Sequence, residues 1–206
     1  MCLRGLDDVF LRDDWEEFLL DQCRAKNVLA IAFGNRLGCG TALGVSWCLA
    51  GGRGLCAAFA GTGGLPALEE TVMALHVDGS FHGDTRALSD MREWFEEETG
   101  QSLPGGKAVV GSLIFAVESG IHVDGIAKDP RLYEPFPPEL VGGRRRLCLG
   151  THSGRTSLEI CCGLLGLPLD GDRIDAMLDR VRELGAERER PLFPEEIADI
   201  VGAAAR

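Results

Sequence analysis

The sequence predicts an α/β fold: a parallel strand–helix amino-terminal part followed by a mainly helical carboxy-terminal region. Three observations carry this. Val28–Phe33 and Gly54–Ala60 are short, uninterrupted apolar runs, as in strands buried on both faces. A turn and a helix-like segment follow each, the alternation that builds a parallel sheet. Beyond Ser153 only helical periodicity remains.

The elements follow in order. Asp13-Asp14 opens a helix in which Trp15, Phe18, Leu19 and Cys23 recur at helical spacing, with Arg24 and Lys26 at its carboxy end, as the helix dipole prefers. Val28–Phe33 is the first strand, ended by Gly34-Asn35, and Thr41–Leu49 the next helix. Gly54–Ala60 is the second strand. Pro66 marks the first turn of a helix that carries Leu68, Val72, Met73 and Leu75 on one face. Past Val77-Asp-Gly, Leu88, Met91, Trp94 and Phe95 define an acidic amphipathic helix that stops at Gly100, and Val109–Phe115 reads as extended or weakly helical. Three helices close the chain, over roughly 155–165, 172–185 and 194–204, the second with Ile174, Leu178, Val181 and Leu184 inward. The expected division is 1–80, 81–150 and 151–206.

The chain has 206 residues, enough for a hydrophobic core without disulfides or metals. A net charge of -11 with dispersed Lys and Arg excludes nucleic acid and anionic membranes as partners, since both require clustered positive charge. The short run Arg144-Arg145-Arg146 reads as a solvated turn before a strand. All eight cysteines lie in apolar segments without Cys-x-x-Cys spacing, and the Cys161-Cys162 pair reads as packing. With no leader at Met1 and no apolar run long enough to cross a bilayer, the expected location is cytoplasmic. Gly38-Cys-Gly-Thr-Ala-Leu-Gly44 lies between a strand and a helix, like a dinucleotide-binding loop. The acid expected about twenty residues on is missing, so a structural turn explains it better.

Two segments stand out chemically. Glu118-Ser-Gly-Ile-His122-Val-Asp-Gly-Ile-Ala-Lys-Asp-Pro-Arg-Leu-Tyr133 places a histidine and the single tyrosine in a polar stretch, and Leu147-Cys-Leu-Gly-Thr-His152-Ser-Gly-Arg155 follows. Together with Gly83-Asp-Thr-Arg86 and Leu68-Glu-Glu-Thr-Val-Met-Ala-Leu75, they resemble the carboxy-terminal region of the homocitrate and isopropylmalate synthases, and most of all the nitrogenase-associated homocitrate synthases. The resemblance covers nearly the whole chain after the first two dozen residues. It implies that the amino-terminal part is the remnant of the last two strand–helix units of a (β/α)8 barrel, with Val28–Phe33 as the seventh strand, Leu55–Ala60 as the eighth and the first six absent. Two strands cannot close a barrel, so the resemblance requires another surface to cover them.

In that family a divalent cation is held by a His-x-His pair on the seventh strand, an Asn after the eighth and an acid on the first. The matching positions here are Ala32, Gly34 and Leu65, so the chain alone is expected to bind no metal, and a divalent ion is expected on a partner barrel chain. The resemblance gives His122 the part of general acid or base in the condensation of acetyl-CoA with a 2-oxo acid, with Tyr133 assisting and His152 as a candidate substrate contact. Imidazole suits the task because it titrates near neutral pH. Read from the residues alone, His122 could instead order a loop by bonding Asp124 or a carbonyl, Tyr133 could pack its ring with a wet hydroxyl, and Ser153 could be a helix cap. His76 and His82 read as surface residues.

Two expectations follow. One is the omega-type, carboxy-terminal subunit of a split homocitrate synthase, acting with a separate metal-binding barrel chain on acetyl-CoA and 2-oxoglutarate to supply homocitrate for nitrogen fixation. The other is a non-catalytic homologue that binds or modulates a full-length synthase. The partner is a barrel chain, a full-length synthase or a second copy of this chain.

Overall fold

The computed structural model describes residues 1–118, 129–168, 171 and 173–204. They form two compact units, Met1–Gly111 and Ser112–Arg206.

The first unit is built on a short parallel sheet. β1 (Cys2–Gly5) pairs with β2 (Ala30–Phe33), Cys2 opposite Ala30 and Gly5 opposite Phe33. The connection is α1 (Trp15–Lys26), which places Glu16 and Glu17 in its first turn, Arg24 and Lys26 in its last, and ends on Asn27 in the left-handed region. Leu19 and Cys23 of α1 and Leu43 and Trp47 of α2 (Gly40–Leu49) close over Ile31 and Phe33, and the Trp15 ring meets Phe33 edge-on at 6.0 Å. β1 was not anticipated. Four residues with alternating half-exposure lack the apolar run that marks β2.

The strand expected over Gly54–Ala60 is reduced to a single parallel bridge, Leu55 with Ile31. The Ile31 N–H donates to Gly54 O and the Cys56 N–H to Ile31 O. Thereafter the backbone turns on itself: Ala58 bridges Ala67, and Phe59–Gly64 forms a 3-10 turn in which Ala60, Gly61 and Gly63 have positive φ. The buried carboxylate of Glu69 takes the Ala60 N–H at 2.9 Å, so a local partner replaces the sheet ladder. α3 (Leu68–Asp78) starts after Ala67, two residues beyond Pro66, and buries Glu69, Thr71 and Met73; of the expected face Met73 is buried while Leu68, Val72 and Leu75 are half-buried. α4 (Leu88–Thr99) buries Leu88 and Phe95, the latter 5.5 Å from the Phe59 ring, and leaves Trp94 exposed. His76 is half-buried rather than on the surface, and its Nδ1 has no partner.

Glu69 is fully buried and also meets Lys107 Nζ at 2.8 Å, an ion-pair contact rather than a well-directed hydrogen bond; Glu70 shares the same ammonium. Burial pushes the Lys107 pKa down, but the two carboxylates outweigh it and hold it above the ordinary lysine value.

In the second unit β3 (Ala116–Val117) and β4 (Arg146–Leu147) pair in parallel. The core is helical: α5 (Arg155–Leu165), α6 (Ile174–Glu187) and α7 (Pro194–Ala204) enclose Leu158, Cys161, Cys162, Met177, Leu178, Val181 and Ile197. Leu149 and Leu192 exchange two backbone hydrogen bonds that tie the exit of β4 to the start of α7. Pro194 opens α7 and Glu196 reaches back to the Phe193 N–H at 2.9 Å, half of a capping box. Val109–Phe115 is neither strand nor helix but a series of turns.

Lys107→Met leaves a fully buried carboxylate uncompensated, so it is expected to lower the unfolding free energy by about 3–5 kcal/mol in urea denaturation. Because the folded-state pKa of Lys107 is raised, its contribution is complete below the ordinary value of 10.5 and is lost as pH rises through the folded value. The gap between wild type and variant should therefore narrow only in strong alkali.

Candidate functional site

The two polar segments singled out in the sequence leave the carboxyl ends of β3 and β4, which are neighbours. Parallel register sets Val117 beside Leu147, and the Cys148 N–H donates to Val117 O at 2.9 Å. Glu118 and the turn Gly150–Ser153 thereby meet. The Glu118 carboxylate accepts the His152 N–H at 3.2 Å, and its main-chain oxygen accepts from Ser153 Oγ at 3.3 Å. Ser153 Oγ accepts the Gly150 N–H at 2.9 Å. A Cβ on Gly150 would lie 2.6 Å from Glu118 Oε1, so only glycine admits the carboxylate there.

Ser153 is not the helix cap that the sequence suggested. Gly154 holds that position without a side-chain bond, while the fully buried Ser153 joins the two motifs. Its carbonyl accepts two bonds from the Arg182 guanidinium of α6, at 3.0 and 3.2 Å. Burial, followed by the nearby charge of Glu118, pushes the Cys148 thiol up to about 11. That thiol acts as core rather than nucleophile.

Tyr133 ends a 3-10 turn, Pro130–Leu132, in which Asp129 accepts the Arg131 N–H and pairs with its guanidinium; that bond holds the Asp129 carboxyl below its usual range. The Tyr133 N–H donates to Pro130 O at 3.0 Å, and the residue is 44% exposed. Its neighbour Glu134 is held by both ends of the Arg145 guanidinium, each at 2.7 Å, and Glu139 takes a third bond at 3.0 Å. Arg144-Arg145-Arg146 is solvent-exposed and leads into β4, as expected, but Arg145 is also a clamp between the Tyr133 segment and β4. Arg146 starts β4 and lies 4.8 Å from the Phe193 ring. His152 is exposed, and its main-chain N–H is the group that Glu118 holds. His122 falls within residues 119–128, outside the described residues.

In the first unit, Ala32, Gly34 and Leu65, the positions to which the resemblance assigns the family's metal ligands, line one cavity of about 240 Å³. Arg4, Asp7 and Arg36 share its wall. The Asp7 carboxylate occupies the space that a Cβ on Gly34 would take, and Arg36 grips it through Nε at 3.0 Å and its main-chain N–H at 3.2 Å, with Nη2 at 2.6 Å. The Arg36 bonds hold Asp7 below the usual carboxylate range. Alanine, glycine and leucine offer no donor atoms, and the one nearby acid already has a cation. These residues do not fit a divalent metal. Sequence reasoning missed Asp7, whose partner is 29 residues away.

Comparison with known proteins gives the class first: residues 109–189 match the family described as homocitrate synthase post-HMGL domain-like. Homocitrate synthase 1 of Nostoc sp. is 40% identical over 140 residues, 67% of this chain and 37% of the relative. The homocitrate synthase omega subunit of Clostridium pasteurianum is 35% identical over 136 residues, 65% of this chain and 39% of that protein. The 2-isopropylmalate synthase 2 of Caldanaerobacter subterraneus is 40% identical over 136 residues, covering 65% and 35%. The chain belongs to the homocitrate synthase family, as its sequence motifs indicated. It spans between a third and two fifths of the length of these relatives.

Ser153→Ala removes both bonds of the hydroxyl and strands the Gly150 N–H and Glu118 carbonyl. The expected loss is about 1–3 kcal/mol in chemical denaturation. Loosening should show as faster amide exchange at Gly150 and His152 than at α7.

Proposed function

We propose that this chain is the omega-type, carboxy-terminal subunit of a split homocitrate synthase, which condenses acetyl-CoA with 2-oxoglutarate together with a separate metal-binding barrel chain. One observation carries the reading: the family's post-HMGL domain is present while the ligand positions for the metal hold Ala32, Gly34 and Leu65 around an internal ion pair. A relative that is itself an omega subunit supports it. The β1–α1–β2–α2 order, with Leu55 bridging the far side of β2, is read as the end of a barrel, β1 taking the place of the sixth strand and the eighth being reduced to the Leu55 bridge.

In the condensation the methyl carbon beside the thioester loses a proton, attacks the keto carbon, and the keto oxygen gains a proton; water then releases CoA from the thioester. His122 serves as the acid or base, because an imidazole near neutral pH can take one proton and return another. Tyr133, on a segment fixed by Arg145, assists, and the imidazole of His152 contacts substrate. The positions Ala32, Gly34 and Leu65 do not hold the catalytic divalent metal, which the partner barrel supplies. Its place of work is the cytoplasm.

The test is homocitrate formation from acetyl-CoA and 2-oxoglutarate with a divalent metal, using this chain, a candidate barrel chain, and both. Activity is expected only in the mixture. His122→Ala should cut turnover at least ~100-fold with assembly intact, and Tyr133→Phe should cut it less. Turnover indifferent to this chain would sink the proposal and favour the non-catalytic homologue, for which the loss of ligand side chains at Ala32 and Gly34 is the supporting observation.

A further inference from the structure

A cavity of about 380 Å³ lies on the helical side of the first sheet, where the carboxy ends of α1 and α2 meet the start of β2. It has the size of a small-molecule site. Leu20, Cys23, Val28 and Trp47 make its floor apolar. Burial pushes the Cys23 thiol up, so the sulfur stays neutral and belongs with that floor. Three polar residues, Arg24, Asn27 and Arg53, complete the wall, and all three are exposed.

The loop Gly51-Gly52-Arg53-Gly54 shapes the mouth. Gly51 has a φ of +90°, and a Cβ on Gly52 would lie 2.0 Å from the Trp47 ring, so both positions call for glycine. The bare backbone of Gly52 packs on the indole, whose N–H donates to Gly54 O at 3.2 Å. Arg53 is carried by this loop, yet its guanidinium has no partner among the described residues, and neither has the Asn27 side chain. Arg24 meets only Asp21, at 3.6 Å. With that acid counted, the mouth carries one net positive charge. Carboxy ends of helices repel anions, but here the N–H groups of Asn27, Val28, Gly51 and Gly52 occupy the terminal carbonyls.

We propose that this cavity binds an amphiphilic monocarboxylate, with its hydrocarbon body on the Trp47 floor, its carboxylate on the Arg53 guanidinium and the Asn27 amide as a second donor. A guanidinium suits the group because two of its N–H bonds can meet both carboxylate oxygens. A neutral ligand would leave Arg53 unused, and a cationic one would be repelled by it. The Ile31 N–H donates to Gly54 O, and Leu55 bridges Ile31, so an occupant braces the loop that attaches Leu55 to β2. The site shares no residue with the cavity around Ala32, Gly34 and Leu65, and it stands apart from the proposed catalysis.

The test is calorimetric titration of the full chain with octanoate, octanol and octylamine as probes. One equivalent of octanoate should bind and raise the melting temperature, with octylamine weaker by about tenfold or more. Arg53→Ala, at an exposed side chain, should weaken octanoate by about tenfold or more and leave octanol unchanged. Leu20→Trp, which fills the half-buried wall, should abolish the binding of both while the circular dichroism stays the same. Absence of one-to-one octanoate binding, or binding of full strength in either variant, would overturn the proposal, whatever the homocitrate assay shows.

Discussion

The first unit depends on a carboxylate with no access to water. Glu69 receives the Ala60 N–H on one oxygen and the Lys107 ammonium on the other, and thereby joins the glycine-rich turn, α3 and the loop before Gly111. A lone buried carboxylate would cost several kcal/mol, so each partner is obligatory. The same constraint explains why Phe59–Gly64 turns instead of continuing as a strand. Once Ala60 bonds to Glu69, its N–H is no longer available to a neighbouring strand.

The second unit solves a related problem with a hydroxyl. Ser153 carries one bond from Gly150 and one to Glu118, and Arg182 completes its carbonyl. Through this residue the two motif-bearing segments and α6 share one network. The Arg145 clamp does for the Tyr133 segment what Ser153 does for the turn after β4, and both anchor points flank the same pair of short strands.

The helices were legible because their evidence is local. Apolar spacing, acids in the first turn of α1 and α3, and glycine at the end of α4 and α5 lie within one segment each. What the sequence concealed involves partners far apart along the chain. β1 exists because β2 offers an edge 28 residues later, and the Gly54–Ala60 strand fails because of Glu69. The ion pair of the exposed Arg145 went unread since nothing nearby announces Glu134. Of the candidate residues, Tyr133 and His152 were visible as polar residues in unusual segments, but Arg145, which holds Tyr133's neighbour Glu134, and Glu118, which holds the His152 main chain, acquire meaning only when the strands pair. His122 was picked out by resemblance.

The ion pair between Asp7 and Arg36 constrains what position 34 can carry. A histidine introduced at position 34 would place its first side-chain carbon on the Asp7 carboxylate, and removing Asp7 alone would strip Arg36 of its counter-ion. Neither single step recovers a ligand without first damaging what stands there. The substitutions are coupled as neighbouring residues generally are. The arrangement therefore couples positions 7, 34 and 36: a side chain at 34 is accommodated only where the Asp7 carboxylate moves or changes with it, so this corner of the first unit varies as a set or not at all.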